Sequence, residues 1–194
     1  PLYSSAASDV YKRQIYDPTD PTPSLGSQYQ TFDFCGPHDR SKIQDRADVL
    51  VFTTDVLLED VEVTGPISAT IWAASDRVDT DFTAALTDVE PDGKAIALCE
   101  GIVRARFRNG TNNPTMMTPF EIYKFEIDMW NTSNTFKKGH RIRIEISSSN
   151  FPRYNRNLNS GNHIESDEEI NIANQTLYHD REHPSHITLP IIPR

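Results

Sequence analysis

Hydrophobic and polar residues alternate with period two along most of this chain. Ile142, Ile144 and Ile146 stand between Arg141, Arg143 and Glu145. This is the pattern of a strand with one buried face. Residues 121–129 repeat it, with Tyr123, Phe125, Ile127 and Met129 set against Lys124, Glu126 and Asp128. Residues 101–108 place Val103, Ala105 and Phe107 against Arg104, Arg106 and Arg108. After Gly65-Pro66, Ile67, Ala69, Ile71 and Ala73 alternate with Ser68, Thr70, Trp72 and Ala74. Further strands are predicted over 49–52, 81–89, 95–98, 175–178 and 186–189, and a short one over 29–34. The turn Glu90-Pro91-Asp92-Gly93 joins two of them as a hairpin.

About nine strands with turn signals every 8–15 residues, and no amphipathic helix, predict an all-β fold: an antiparallel β-sandwich. Their lengths and a long polar loop before the last strands favour a jelly roll, of the galactose-binding-domain-like type, over an up-and-down barrel. The predicted domain covers residues 48–194. Residues 15–47 are rich in Pro, Asp, Ser and Gln, and Asp17-Pro18-Thr19-Asp20-Pro21-Thr22-Pro23 can form neither helix nor central strand. They read as an extended linker with a first edge segment. Residues 1–14 contain Ser4-Ser5-Ala6-Ala7-Ser8 and then Asp9-Val10-Tyr11-Lys12-Arg13-Gln14, which resembles a translated sequencing-library adapter. They are expected to be a junction artefact or a disordered tail.

Composition adds limits. A chain of 194 residues can bury roughly 70% of its unfolded surface without staples. The net charge of −9 argues against nucleic acid, because phosphate binding needs clustered Lys and Arg. The two cysteines, Cys35 and Cys99, make no disulfide framework. Together with the absence of a signal peptide they point to a bacterial cytoplasm. No apolar run is long enough to span a membrane.

Candidate chemistry is sparse. The nucleophile pentapeptide Gly-x-Ser-x-Gly is absent. Ser147-Ser148-Ser149 ends a strand, where serines more often satisfy backbone groups. His179, His183 and His186 fall within eight residues, but Pro184 opposes a helix that would align them, so loop histidines are favoured over a metal site. Asp79-Thr80-Asp81 lacks the glycine and terminal Glu of a calcium loop and reads as a strand-entry turn. Arg153, Arg156, Asn157 and Asn159 could hold an anion, but more readily satisfy an irregular loop, with Phe151-Pro152 anchoring it on the core. Trp72 lies opposite the Ile71 face and points to solvent or to a partner domain. Trp72 and Trp130 are the aromatics that could stack on sugar rings, and a free-standing sugar-binding module, with Trp72 exposed on its face, is the alternative function.

Several motifs occur in order. They are Asp17-Pro18-Thr19-Asp20-Pro21 with Ser24-Leu25-Gly26; Asp48-Val49-Leu50-Val51-Phe52; Val63-Thr64-Gly65-Pro66; Asp79-Thr80-Asp81-Phe82-Thr83-Ala84; Pro91-Asp92-Gly93-Lys94; Thr132-Ser133-Asn134-Thr135-Phe136; Gly139-His140-Arg141-Ile142-Arg143; Ser147-Ser148-Ser149-Asn150-Phe151-Pro152-Arg153; and Tyr178-His179-Asp180-Arg181. From about Tyr16 onward the chain thereby resembles the C-terminal, non-catalytic domain of the cocaine-esterase and X-prolyl dipeptidyl-peptidase family of serine hydrolases. The resemblance implies a catalytic triad upstream, in an α/β-hydrolase domain with a helical cap. It therefore implies no catalytic residue, cofactor or metal ligand on this chain. The implied partners are those upstream domains, and a homodimer of the parent is the other assembly the resemblance allows. It places Gln28, Tyr29, Gln30 and Thr31 beside the acyl pocket as wall or interdomain contacts, with Trp72 as a further contact. This stretch is more polar than the apolar residues expected of a cocaine esterase.

Overall fold

A computed structural model describes residues 10–28, 35–163 and 166–193. The strands are β1 Tyr11–Tyr16, β2 Leu50–Thr53, β3 Val61–Ser75, β4 Asp81–Val89, β5 Ala95–Arg104, β6 Tyr123–Phe136, β7 Arg141–Ser147, β8 Ala173–Tyr178 and β9 His186–Thr188, with one helical turn, α1 Ser41–Gln44. They form two antiparallel sheets. One is ordered β1-β8-β3-β6 with β9 also on β3, and the other β2-β7-β4-β5. From β2 to β8 the chain crosses repeatedly between the sheets, as in a jelly roll.

The inward faces are those the alternation predicts. Phe125, Ile127 and Met129 of β6 are fully buried, as are Ile67, Ala69 and Ile71 of β3, and they meet Phe82, Leu86 and Ile146 from the opposite sheet. The Phe82 and Phe125 rings lie 4.8 Å apart between centroids. Burying each such ring contributes about 2–3 kcal/mol.

Four features depart from the sequence expectations. First, β1 begins at Tyr11, inside the segment set aside as a tail, and pairs with β8 from Tyr11↔Tyr178 to Tyr16↔Ala173. Its outward Tyr11 and Ile15 and inward Gln14 and Tyr16 give no apolar alternation.

Second, much of the proline-rich stretch before β2 is not a free linker. Thr22, Ser24, Ser27, Arg40, Ile43 and Gln44 are buried. The segment forms an outer layer on the four-stranded sheet, so β4 is buried on both faces. The strand expected over 29–34 lies outside the described residues.

Third, residues 101–108 are not one strand. β5 runs from Ala95 to Arg104, and a 3-10 turn follows at Ala105–Phe107. The backbone bends because Thr80 O accepts from Ala105 N at 2.8 Å and Asp79 accepts from Arg106 N at 2.8 Å.

Fourth, β3 extends back through Gly65 and Pro66. The proline, which cannot donate to the ladder, sits where the register with β6 slips between Pro66 and Ser68.

Gly101 lies where β5 crosses β6 at the edge of the sandwich. A Cβ there would stand 2.0 Å from the Asp128 carbonyl oxygen, a backbone atom. Gly101→Ala should therefore lower stability in urea unfolding by about 1–3 kcal/mol or more, as overpacking does. An unchanged midpoint would show that the two strands do not approach this closely.

Candidate functional site

The outer layer is held by charges buried between it and the sheet. Arg40 is 3% exposed, Glu145 4% and Glu100 1%. Arg40 Nε donates to Glu145 Oε1 at 2.7 Å, and Nη2 donates to the same oxygen. Nη1 donates to Leu25 O at 2.6 Å and stands 3.7 Å from Glu100 Oε2, an ion-pair contact too long for a hydrogen bond. Arg153 Nη1 donates to Glu100 Oε1 at 2.6 Å. Gln44 Nε2 donates to Glu145 Oε2 at 3.0 Å, and Gln44 Oε1 accepts from Arg143 Nη1 at 2.7 Å. Desolvation works against the Arg40 charge, but Glu145 and Glu100 outweigh it and hold its pKa above the ordinary value.

Gln28 caps the edge of β5 beside this cluster. Its Nε2 donates to Glu100 O at 2.6 Å, and its Oε1 accepts from Glu100 N at 3.2 Å. The carboxamide thus takes the place of a neighbouring strand. Further along the same edge, Arg40 N donates to Ala95 O and Ala97 N to His38 O. Such pairing blunts an edge that would otherwise accept a foreign strand. Ser27 and Gly36 exchange two backbone hydrogen bonds, of 2.8 and 2.9 Å, which closes the base of the segment between them. Gly26 makes the entry possible: its φ is 76° and a Cβ would lie 2.8 Å from that of Ala97. Tyr29, Gln30 and Thr31, also expected at the pocket wall, lie outside the described residues.

A second polar cluster closes one end of the sandwich. Asp79 binds Arg106 at 2.8 Å, Asp81 binds Arg104 at 2.7 and 2.8 Å, and the Asn157 amide donates to both carboxylates at 2.8 and 2.9 Å. Gln175 Nε2 donates to Thr80 Oγ1 at 2.6 Å. The Asp79-Thr80-Asp81 turn is therefore a buried clamp on the loop after β7. Arg153 joins the first cluster instead. Phe151, 41% exposed, anchors its loop by backbone bonds to Thr22 and Ser24 rather than by packing on the core as expected.

The remaining candidates do not assemble into catalytic geometry. Ser147 pairs with Thr83 at 2.6 Å, Ser148 with Gln14 at 2.9 Å, and Ser149 Oγ accepts from Thr22 N at 2.7 Å. All three serines are buried, and the imidazole bonds go elsewhere: His140 to Asp88, His183 to Asp180, His186 to Pro184 O. The His179 ring packs on Phe52, whereas His183 packs on Trp72 and Tyr178. Among the described residues no three His, Cys, Asp or Glu side chains gather as metal ligands.

Trp72 is half-buried, with the His183 ring edge-on at 5.3 Å and Ser185 Oγ accepting from its backbone N–H at 2.8 Å. The C-terminal segment of this chain thus occupies the face that a sugar would need. The exposed tryptophan is Trp130, at 60%. It lies two residues beyond Asp128, on the outward row that Lys124, Glu126 and Asp128 also occupy.

The family described as the X-Pro dipeptidyl-peptidase C-terminal non-catalytic domain matches residues 3–188. A cocaine esterase of Rhodococcus sp. (strain MB1 Bresler) is 52% identical over 197 residues, an alignment covering the whole chain and 34% of that protein. Among solved structures, an alpha-amino acid ester hydrolase superposes with a TM-score of 0.87 at 25% identity, over 96% of this chain and 33% of the other. An aminopeptidase from a marine sediment Thaumarchaeota archaeon also gives 0.87, at 28% identity over 97% and 34%. The chain spans about a third of the length of each. It belongs to this C-terminal non-catalytic domain family, and the free-standing sugar-binding alternative finds no support.

Asn157 offers a test of the end clamp. Burial, opposed by Arg104 and Asn157, leaves the Asp81 carboxyl above its usual range. A carboxyl whose folded pKa is raised loses stability as pH climbs from its unfolded value through its folded one. Asn157→Ala removes donors to both carboxylates, so it should cost about 1–3 kcal/mol at neutral pH. The cost should shrink towards acid, where a protonated Asp81 no longer needs the donor. Urea unfolding at pH 4 and pH 7 measures this; a cost equal at both values would contradict it.

Proposed function

We propose that this family member is the C-terminal third of a serine hydrolase acting on ester or X-prolyl peptide bonds, packs on the α/β catalytic domain of that enzyme, and helps wall its acyl pocket with the segment that begins at Gln28. The carrying observation is the fate of the serines. Ser147, Ser148 and Ser149 are buried and bound to Thr83, Gln14 and Thr22, with no imidazole partner. An acyl-enzyme needs a serine beside a base, with donors aimed at the oxyanion. That machinery belongs in the two-thirds of the relatives that this chain does not cover. The names of the similar proteins, an esterase, an ester hydrolase and an aminopeptidase, support an acyl-transfer parent.

The polar wall bears on specificity. Gln28 is fixed by two hydrogen bonds to the Glu100 backbone, so the chain leaving it starts from a rigid base. Rigid placement of a wall is what discriminates acyl groups. A cytoplasmic location for the parent is part of the same reading; the unpaired thiols of Cys35 and Cys99 support it.

The purified chain, treated with a fluorophosphonate serine probe and read by intact mass, should gain no label and hydrolyse no ester. Stoichiometric labelling of the folded chain would overturn the non-catalytic reading and locate an unrecognised nucleophile.

A further inference from the structure

Among the described residues, four that are not glycine have left-handed backbone: Ser27, Asn159, Phe120 and Trp130. The first two are explained where they stand. Ser27 is 7% exposed and closes the bridge to Gly36; Asn159 is 1% exposed and donates to Asn171 O at 2.7 Å. Both are residue types that tolerate this conformation or are over-determined by their surroundings.

The other two are large aromatics, for which a positive φ is strained. Trp130 has φ 66° and is 60% exposed; Phe120 has φ 69° and is 76% exposed. Trp130 sits in β6 where the register with β3 slips, between the pairs Ser68↔Asp128 and Pro66↔Asn131. The left-handed position of such a bulge is ordinarily glycine. Here the Asp128 carboxylate accepts from Trp130 N at 2.8 Å, and Ser75 O accepts from Phe120 N at 2.7 Å. In both places a costly backbone shape carries an aromatic ring that stands in solvent. Strain of this kind persists at sites where the surroundings serve a binding task.

The two rings flank the outward Lys124, Glu126 and Asp128 of β6. Phe120 lies in the turn before β6, and seven residues of strand, Tyr123 to Met129, rising about 23 Å, lie between the two. That span suits an interface of standard size, about 800 Å² on each partner, in which aromatic anchors carry most of the energy.

We infer that the β6 face between Phe120 and Trp130 is the seam against the parent's catalytic domain, with Trp130 as its anchor. This rests on the proposed function, which supplies the occupant: the relatives carry about two-thirds of their length beyond the part this chain matches.

The test uses the full chain alone and a chimera in which it replaces the C-terminal third of the Rhodococcus cocaine esterase. Trp130→Gly relieves the backbone, so the chain alone should keep its Tm or gain up to about 2–4 °C. In the chimera the same substitution should lower the Tm, and adding Phe120→Gly should lower it further. Hydroxyl-radical footprinting gives an independent reading: Trp130 should be oxidised in the chain alone and lose that labelling in the chimera. If the chimera melts as one unit but Trp130 stays oxidised and the glycine variants do not lower its Tm, the seam lies elsewhere and only this inference falls. If this chain and the hydrolase part of the chimera melt independently, docking itself fails, and the inference with it.

Discussion

Two buried glutamates constrain everything around them. Glu100 on β5 and Glu145 on β7 point to the outer side of the four-stranded sheet, where both are nearly free of solvent. A carboxylate in that position is costly unless it is paired and hydrogen-bonded. Arg40 answers both, Arg153 completes Glu100, and Gln44 completes Glu145. Three stretches of chain far apart in sequence must therefore meet on one sheet: the layer before β2, the strands themselves and the loop after β7. Charge pairing of this kind adds little net stability over an apolar core, but removing one partner strands a buried charge, so the three stretches are held in one arrangement.

That constraint links fold to function. The same cluster fixes Leu25 through Arg40 and the Glu100 backbone through Gln28. The segment that begins at Gln28 thus leaves from a base tied to the domain core. A non-catalytic domain that contributes to a pocket must present its edge without drift, since small displacements of a wall or positioning group are expensive in rate. The buried clamp of Asp79, Asp81 and Asn157 plays the corresponding role at one end of the sandwich, where it holds the loop after β7.

Much of the fold was legible in the sequence, for a specific reason. β3, β6 and β7 each bury one row of apolar side chains, so their alternation is visible residue by residue. β1 was not legible, because its inward residues are Gln14 and Tyr16 and its pairing with β8 is a matter of backbone. The outer layer was not legible either, because, Ile43 apart, it is buried through polar residues such as Thr22, Ser24, Arg40 and Gln44. Prolines that excluded helix and central strand were read as a linker, although proline is equally suited to a packed irregular layer. Of the contact residues the sequence nominated, Gln28 is bound to the Glu100 backbone and Trp72 is met by His183 and Ser185 of its own chain. Trp130 was nominated with Trp72 as an exposed aromatic, but its left-handed backbone leaves no periodic trace in the sequence.

The central claim is that buried charge pairing makes the layer before β2 part of the domain. A double-mutant cycle on Arg40→Met and Glu145→Met, read by urea unfolding, tests it most directly. The account predicts that each single change costs about 3–5 kcal/mol by stranding its partner, and that the double variant costs much less than their sum. Additivity to within about 0.5 kcal/mol would contradict it, for the two side chains would then not share a buried pair.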